Sequence, residues 1–140
     1  MVGFQMKTVH NLLKRDFESS KSNKKYPNIT AMQRWVISFL YEHKDQDMFQ
    51  RDLEEEFSVR RSTATGILQL MEKNELITRQ PVSQDARLKK LVLTPKAIEI
   101  QKMIIEEIEA NEKKLRKDIS EEDLEVFFKV IKQIKKNLED

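Results

Sequence analysis

The sequence predicts a mainly α-helical fold carrying one small β-hairpin. Three observations lead there. Apolar residues recur at three- and four-residue spacing through most of the chain. Two short helical stretches, about 51–57 and 61–73, are separated only by Ser58 and Val59. Two β-prone runs, 76–80 and 88–94, flank a polar, turn-rich segment, 81–87. With 140 residues and 39% hydrophobic content, the chain can bury one core and is too short for two independent ones, so 1–140 is expected to be a single domain.

The elements follow in order. Val2, Met6, Val9, Leu13 and Phe17 lie on one face of a first helix that stops near Ser19. Residues 19–29 lack periodicity and contain Pro27, and are expected to be a loop. Thr30 and Gln33 have capping-box spacing, so a helix begins there, with Met32, Val36, Phe39 and Leu40 as its buried stripe. The next short helix is anchored by Leu53 and Phe57. The one after it turns Ala64, Ile67, Leu68 and Met71 inward, which leaves Arg61, Ser62, Thr65 and Gln69 outward. The segment 81–87 is longer than a tight turn requires, so the hairpin tip is expected to project as a wing. A helix-turn-helix followed by such a hairpin is a winged helix-turn-helix, here spanning 30–94. After Pro95 comes a long helix with Ile98, Ile104, Ile105, Ile108 and Leu115. A last helix, starting at Ser120, is lined by Leu124, Phe127, Phe128, Ile131, Ile134 and Leu138. The terminal regions 1–29 and 95–140 carry more apolar surface than the central lobe can cover. A second copy of the chain is the simplest partner for it, and a homodimer is expected.

Charge is abundant but nearly balanced, with Lys+Arg 26 against Asp+Glu 24. Its distribution is uneven: residues 58–94 hold seven basic and three acidic side chains, while 31–57 hold three and seven. The basic excess covers the second helix of the helix-turn-helix and the hairpin, where an electrostatic footprint on phosphate would lie. The absence of cysteine excludes disulfides, thiolate metal sites and thiol redox sensing by this chain. No apolar run approaches the roughly 20 residues of a membrane span, and no signal-peptide core is visible, so no membrane partner and a cytoplasmic location are expected.

Several segments together resemble the MarR family of transcriptional regulators over nearly the whole chain. They are Thr30-x-x-Gln33-x-x-Val36-Ile37-x-x-Leu40, Phe49-Gln50-x-Asp52-Leu53-x-x-x-Phe57, Arg60-Arg61-Ser62-Thr63-Ala64-Thr65-Gly66-Ile67-Leu68-x-x-Met71-Glu72-Lys73, and Asp85-Ala86-Arg87-Leu88-Lys89-Lys90-Leu91-Val92-Leu93-Thr94. Each is weak alone; their order and spacing make the match specific. Two positions depart from the family pattern. Glu75 stands where Gly is common after the recognition helix, and Ala97 where Gly often follows the Leu-Thr. For the first, Asn74 is expected to take the left-handed conformation and shift the helix end.

The resemblance implies a homodimer that binds double-stranded DNA at a pseudo-palindromic operator, as a repressor relieved by a small effector. It implies that the helix from Arg61 enters the major groove, with Arg60, Arg61, Ser62, Thr63, Thr65 and Gln69 at bases or phosphates and Gly66 permitting close approach. On the wing it implies that Arg87 reaches the minor groove, that Asp85 fixes the wing or its arginine, and that some of Arg79, Lys89 and Lys90 contact phosphate. Without the resemblance the same residues describe an ordinary solvated helix face, with Ser62 and Thr63 capping first-turn amides, and a generic polar hairpin.

The remaining features point away from catalysis. No nucleophile with a base, paired acids or phosphate loop is visible, so no enzyme activity, cofactor or metal is expected. His10 and His43 lie in separate helices and are expected at polar surface or interface positions. Glu54, Glu55 and Glu56 form a solvated face. Trp35 is expected to pack, although the family often holds a small aromatic effector between its dimerisation helices and DNA lobe; no pocket residue is assigned. The alternative is a winged helix that docks proteins rather than DNA.

Overall fold

A computed structural model of the chain describes residues 1–82 and 85–139. Its elements are α1 (Val2–Glu18), α2 (Lys21–Lys25), α3 (Ala31–Glu42), α4 (Gln50–Phe57), α5 (Arg61–Lys73), β1 (Ile77–Val82), β2 (Asp85–Leu93), α6 (Pro95–Arg116) and α7 (Glu121–Leu138). They fall into two compact units, Met1–Glu106 and Glu107–Asp140, divided within α6. No helix among the described residues is long and apolar enough to cross a membrane.

The segment expected as a loop, 19–29, contains the five-residue helix α2. Ser20 caps it, its hydroxyl accepting from the Asn23 amide at 3.2 Å. A single turn without an apolar stripe leaves no periodic signal, and what holds it is tertiary. Buried Arg34, on α3, donates from Nε to Ser22 Oγ at 3.1 Å and from Nη2 to the Tyr26 carbonyl at 3.1 Å; its Nη1 donates to the Ile29 carbonyl. The same guanidinium lies 4.5 Å from the centre of the Phe17 ring on α1. One side chain thus ties α1, α2 and the following turn to α3, and keeps buried carbonyls satisfied.

Helix α3 begins as its spacing predicts. The Gln33 amide donates to Thr30 Oγ1 at 3.1 Å and the Thr30 amide donates to Gln33 Oε1 at 3.2 Å, a complete capping box. Val36, Ile37 and Leu40 are buried, and Met32 and Phe39 only half-buried. Trp35, expected to pack, is 49% exposed, because α3 turns the neighbouring Arg34 and Val36 inward and Trp35 points between them to solvent.

Leu53 of α4 and Ala64, Leu68 and Met71 of α5 close the central core against α3 and the hairpin base at Leu76, Ile77 and Leu91. The α4–α5 turn passes through Ser58 in the left-handed region, φ 52°. Strands β1 and β2 pair antiparallel from Ile77↔Leu93 to Val82↔Asp85, with a bulge between Pro81 and Val82. The broad loop expected over 81–87 is therefore mostly strand; Ser83 and Gln84 lie outside the described residues. Pro81 fits because a two-stranded ribbon leaves it at an edge, and the bulge absorbs its missing N–H. The Leu91 amide donates to the Met48 carbonyl at 2.8 Å, fastening the approach to α4 onto the hairpin.

The C-terminus of α5 corrects a further expectation. Asn74 has φ −84°, and Glu75 itself takes the left-handed conformation, φ 59°. The Leu76 amide bonds the Met71 carbonyl at 2.8 Å and the Glu75 amide bonds the Glu72 carbonyl at 3.0 Å, the paired bonds of a Schellman motif. Leu76 and Met71 are both fully buried, so the hydrophobic contact that accompanies this motif holds Glu75 in place.

In α6 the buried face is Ala97, Ile100, Gln101 and Ile104, while Ile98 is 39% exposed. The helix has apolar residues on more than one face, and Ser38 Oγ donating to Gln101 Oε1 at 3.0 Å, between two buried residues, fixes which face meets α3. In the second unit the turn before α7 uses Asp118 at φ 61°, and Ser120 Oγ accepts from the Asp123 amide at 3.1 Å as its spacing predicts. Of the expected α7 stripe, Leu124 is buried, but Phe127 and Phe128 are 53% and 50% exposed.

Candidate nucleic-acid interface

Helix α5 starts at N-cap Arg60, whose side chain makes no capping bond. Arg60, Arg61, Ser62 and Thr63 are exposed around this first turn. Among the described residues, neither the Ser62 nor the Thr63 hydroxyl has a hydrogen-bond partner, so neither caps the helix. The first-turn amides, with the positive end of the helix dipole, face outward beside two guanidinium groups. Further along, Gln69 is exposed and Gly66 half-buried. A Cβ built on Gly66 would meet nothing within 4 Å, so packing inside the protein does not require glycine there.

Thr65 is half-buried, and its Oγ1 lies 2.9 Å from Gln50 Nε2. The same nitrogen lies 3.3 Å from the Arg61 carbonyl oxygen. Gln50, at the first position of α4, thus joins the two helices at the end that carries the exposed arginines. Sequence reasoning passed over it because a glutamine opening a helix has no distinctive local signal.

On the hairpin the basic residues separate into two groups. Arg79 Nε lies 2.6 Å from Glu72 Oε1 on α5, and Lys90 Nζ lies 3.5 Å from Asp47 Oδ1. These two cations already have acidic partners. The Arg87 side chain is 96% exposed, with its Nε 3.9 Å from Asp85 Oδ1. That carboxylate oxygen accepts from the Arg87 backbone amide at 2.9 Å. Asp85 therefore braces the wing backbone and leaves the guanidinium in solvent. Lys89 is exposed, and among the described residues it has no acidic partner. Among the described residues of the α5 first turn and the two wing strands, the exposed cations are Arg60, Arg61, Arg87 and Lys89.

Among the described residues, no group of three or more His, Asp or Glu side chains could hold a metal ion. His10 is exposed; His43 Nδ1 lies 2.8 Å from the Phe39 carbonyl, closing α3.

Residues 28–88 match the model of the MarR family. The crystal structure of the transcription regulator MarR from Oenococcus oeni PSU-1 is 31% identical, with 97% of this chain and 99% of that chain covered and a TM-score of 0.85. The chain belongs to the MarR family. Other MarR-like folds agree. The S. aureus MepR–DNA complex superposes with a TM-score of 0.84 at 21% identity, covering 99% of this chain and 97% of that one. Apo, heme-free PefR gives 0.76 at 26% identity, covering 98% and 99%; PefR is a heme sensor protein from Streptococcus agalactiae. No curated protein matches the chain by sequence. Family membership gives the fold of a winged-helix DNA-binding transcription regulator, with α5 as recognition helix and β1–β2 as wing.

Proposed function

We propose that this MarR-family regulator binds a pseudo-palindromic operator as a homodimer and represses transcription until a small effector releases it. The single observation that carries the reading is Arg87, held 96% exposed on a hairpin whose backbone Asp85 braces and whose base Arg79 ties to the recognition helix. A solvated guanidinium on the wing suits the negative potential of a minor groove. The first turn of α5, with Arg60, Arg61, Ser62 and Thr63 unused by the protein, suits the major groove. Gly66 lets the helix lie close, Thr65 and Gln69 continue the contact surface, and Lys89 adds a phosphate contact.

Dimerisation is supported by unspent apolar surface in each unit. Phe4, Val9 and Leu12 of α1 are exposed, as are Phe127, Phe128 and Val130 of α7. Surfaces of this kind need a partner, and a two-fold dimer would set two recognition helices about 34 Å apart, one turn of DNA. The DNA complex of MepR and the heme sensing of PefR support, by kinship of fold, DNA binding and control by a small molecule.

A mobility-shift titration on duplexes selected from a random pool, at two salt concentrations and with Arg87→Ala, tests the reading. Binding that weakens steeply with salt and is reduced by the substitution is expected. Absent or salt-insensitive binding overturns it and favours a protein-docking winged helix.

A further inference from the structure

The Gln50 amide has only one chemically sensible orientation. It faces the Arg61 carbonyl oxygen at 3.3 Å, and a carbonyl can only accept, so the facing atom must be the nitrogen. An amide oxygen there would set two acceptors against each other. The same Nε2, 2.9 Å from Thr65 Oγ1, then donates its other proton to the hydroxyl oxygen, which must accept it.

A threonine inside a helix commonly turns its hydroxyl proton back to the carbonyl four residues earlier. For Thr65 that carbonyl belongs to Arg61, the group Gln50 engages. Among the described residues, the bond from Gln50 is the only hydrogen bond of the Thr65 side chain. Its proton therefore has no acceptor among the described residues, and accepting from an amide strengthens the hydroxyl as a donor.

We propose that Gln50 is a positioning residue that occupies and polarises the Thr65 hydroxyl, so that Thr65 donates a hydrogen bond to an acceptor on the duplex. The acceptor is either a phosphate oxygen or an acceptor atom on a major-groove base edge. The inference rests on the DNA-binding reading above and extends it to a residue outside the recognition helix.

The test uses a fluorescent duplex selected by the wild-type protein, with affinity read by anisotropy and folding by thermal melting. Thr65→Val, which keeps shape and removes the hydroxyl, should weaken binding about fivefold for each subunit, roughly 25-fold for the dimer, in line with one net hydrogen bond per subunit, while Thr65→Ser retains affinity. Gln50→Ala should weaken binding when made alone and cause no further loss in the Thr65→Val background, with melting temperatures of all four variants used to set aside unfolding. The duplex is then altered one position at a time, by methylphosphonate linkages or by base analogues lacking a major-groove acceptor. One alteration should weaken wild-type binding and leave Thr65→Val indifferent, and its chemical type identifies the acceptor. Equal affinity of Thr65→Val and wild type, additive losses, or no discriminating alteration overturns the proposal. Failure of the wild type to select any duplex would instead sink the function proposed above.

Discussion

Arg79 Nε on the first wing strand and Glu72 Oε1 on the recognition helix lie 2.6 Å apart. The pair spans the two elements of the proposed interface, and it neutralises one of the three wing cations, Arg79, Lys89 and Lys90, of which the sequence predicts only some at phosphate. Arg79 and Arg87 are therefore not equivalent, although both are wing arginines.

That difference is measurable in salt dependence. A guanidinium seated in the negative potential of the minor groove displaces counterions, and removing it lowers the slope of log affinity against log salt by about 0.9 for each subunit. Arg87→Ala should lower it by that amount. Arg79→Ala should leave the slope unchanged while altering wing placement, read as lower affinity at every salt concentration. Equal slopes for the two variants would show that Arg79 leaves Glu72 for phosphate.

Glu75 at φ 59° is a second site of measurable consequence. A left-handed conformation costs a non-glycine residue about 1–2 kcal/mol, partly offset by the greater unfolded-state freedom of glycine. Glu75→Gly should therefore stabilise the protein by about 0.5–1 kcal/mol in urea unfolding. No gain would mean that Glu75 makes compensating interactions in the folded protein.

Gly66 should show stability and binding moving in opposite directions. With open space around its Cβ position, Gly66→Ala should raise stability by about 1 kcal/mol through helix propensity alone. If close approach to DNA requires glycine, operator affinity should fall at the same time. A more stable variant with unchanged affinity would remove Gly66 from the interface.

Phe127 and Phe128 stack edge to face, with ring centres 5.5 Å apart, while remaining half in solvent. Replacing both with Glu removes apolar surface without disturbing a buried residue. Light scattering should show the dimer mass halved, with helix content by circular dichroism retained. A dimer that survives places the interface elsewhere.

Much of the fold is legible locally. Thr30 with Gln33, and Ser120 with Asp123, announce helix starts because capping is completed within one turn. Ala64, Leu68 and Met71 announce the inward face of α5 because helical periodicity is a property of consecutive residues. The wing is legible as a hairpin, and the recognition helix as its neighbour, for the same reason.

The sequence by itself determined the kinds of elements, most of their boundaries and the polar character of the recognition helix, since these rest on interactions among near neighbours. Only the tertiary structure decided that Arg34 builds α2, that Glu75 rather than Asn74 turns left-handed, that Ile100 rather than Ile98 meets the core, and that Arg79 is held by Glu72 while the Arg87 guanidinium stays in solvent. Each of those outcomes depends on a partner or a packing surface brought close by the fold, and no spacing along the chain encodes which of two nearby candidates will find it.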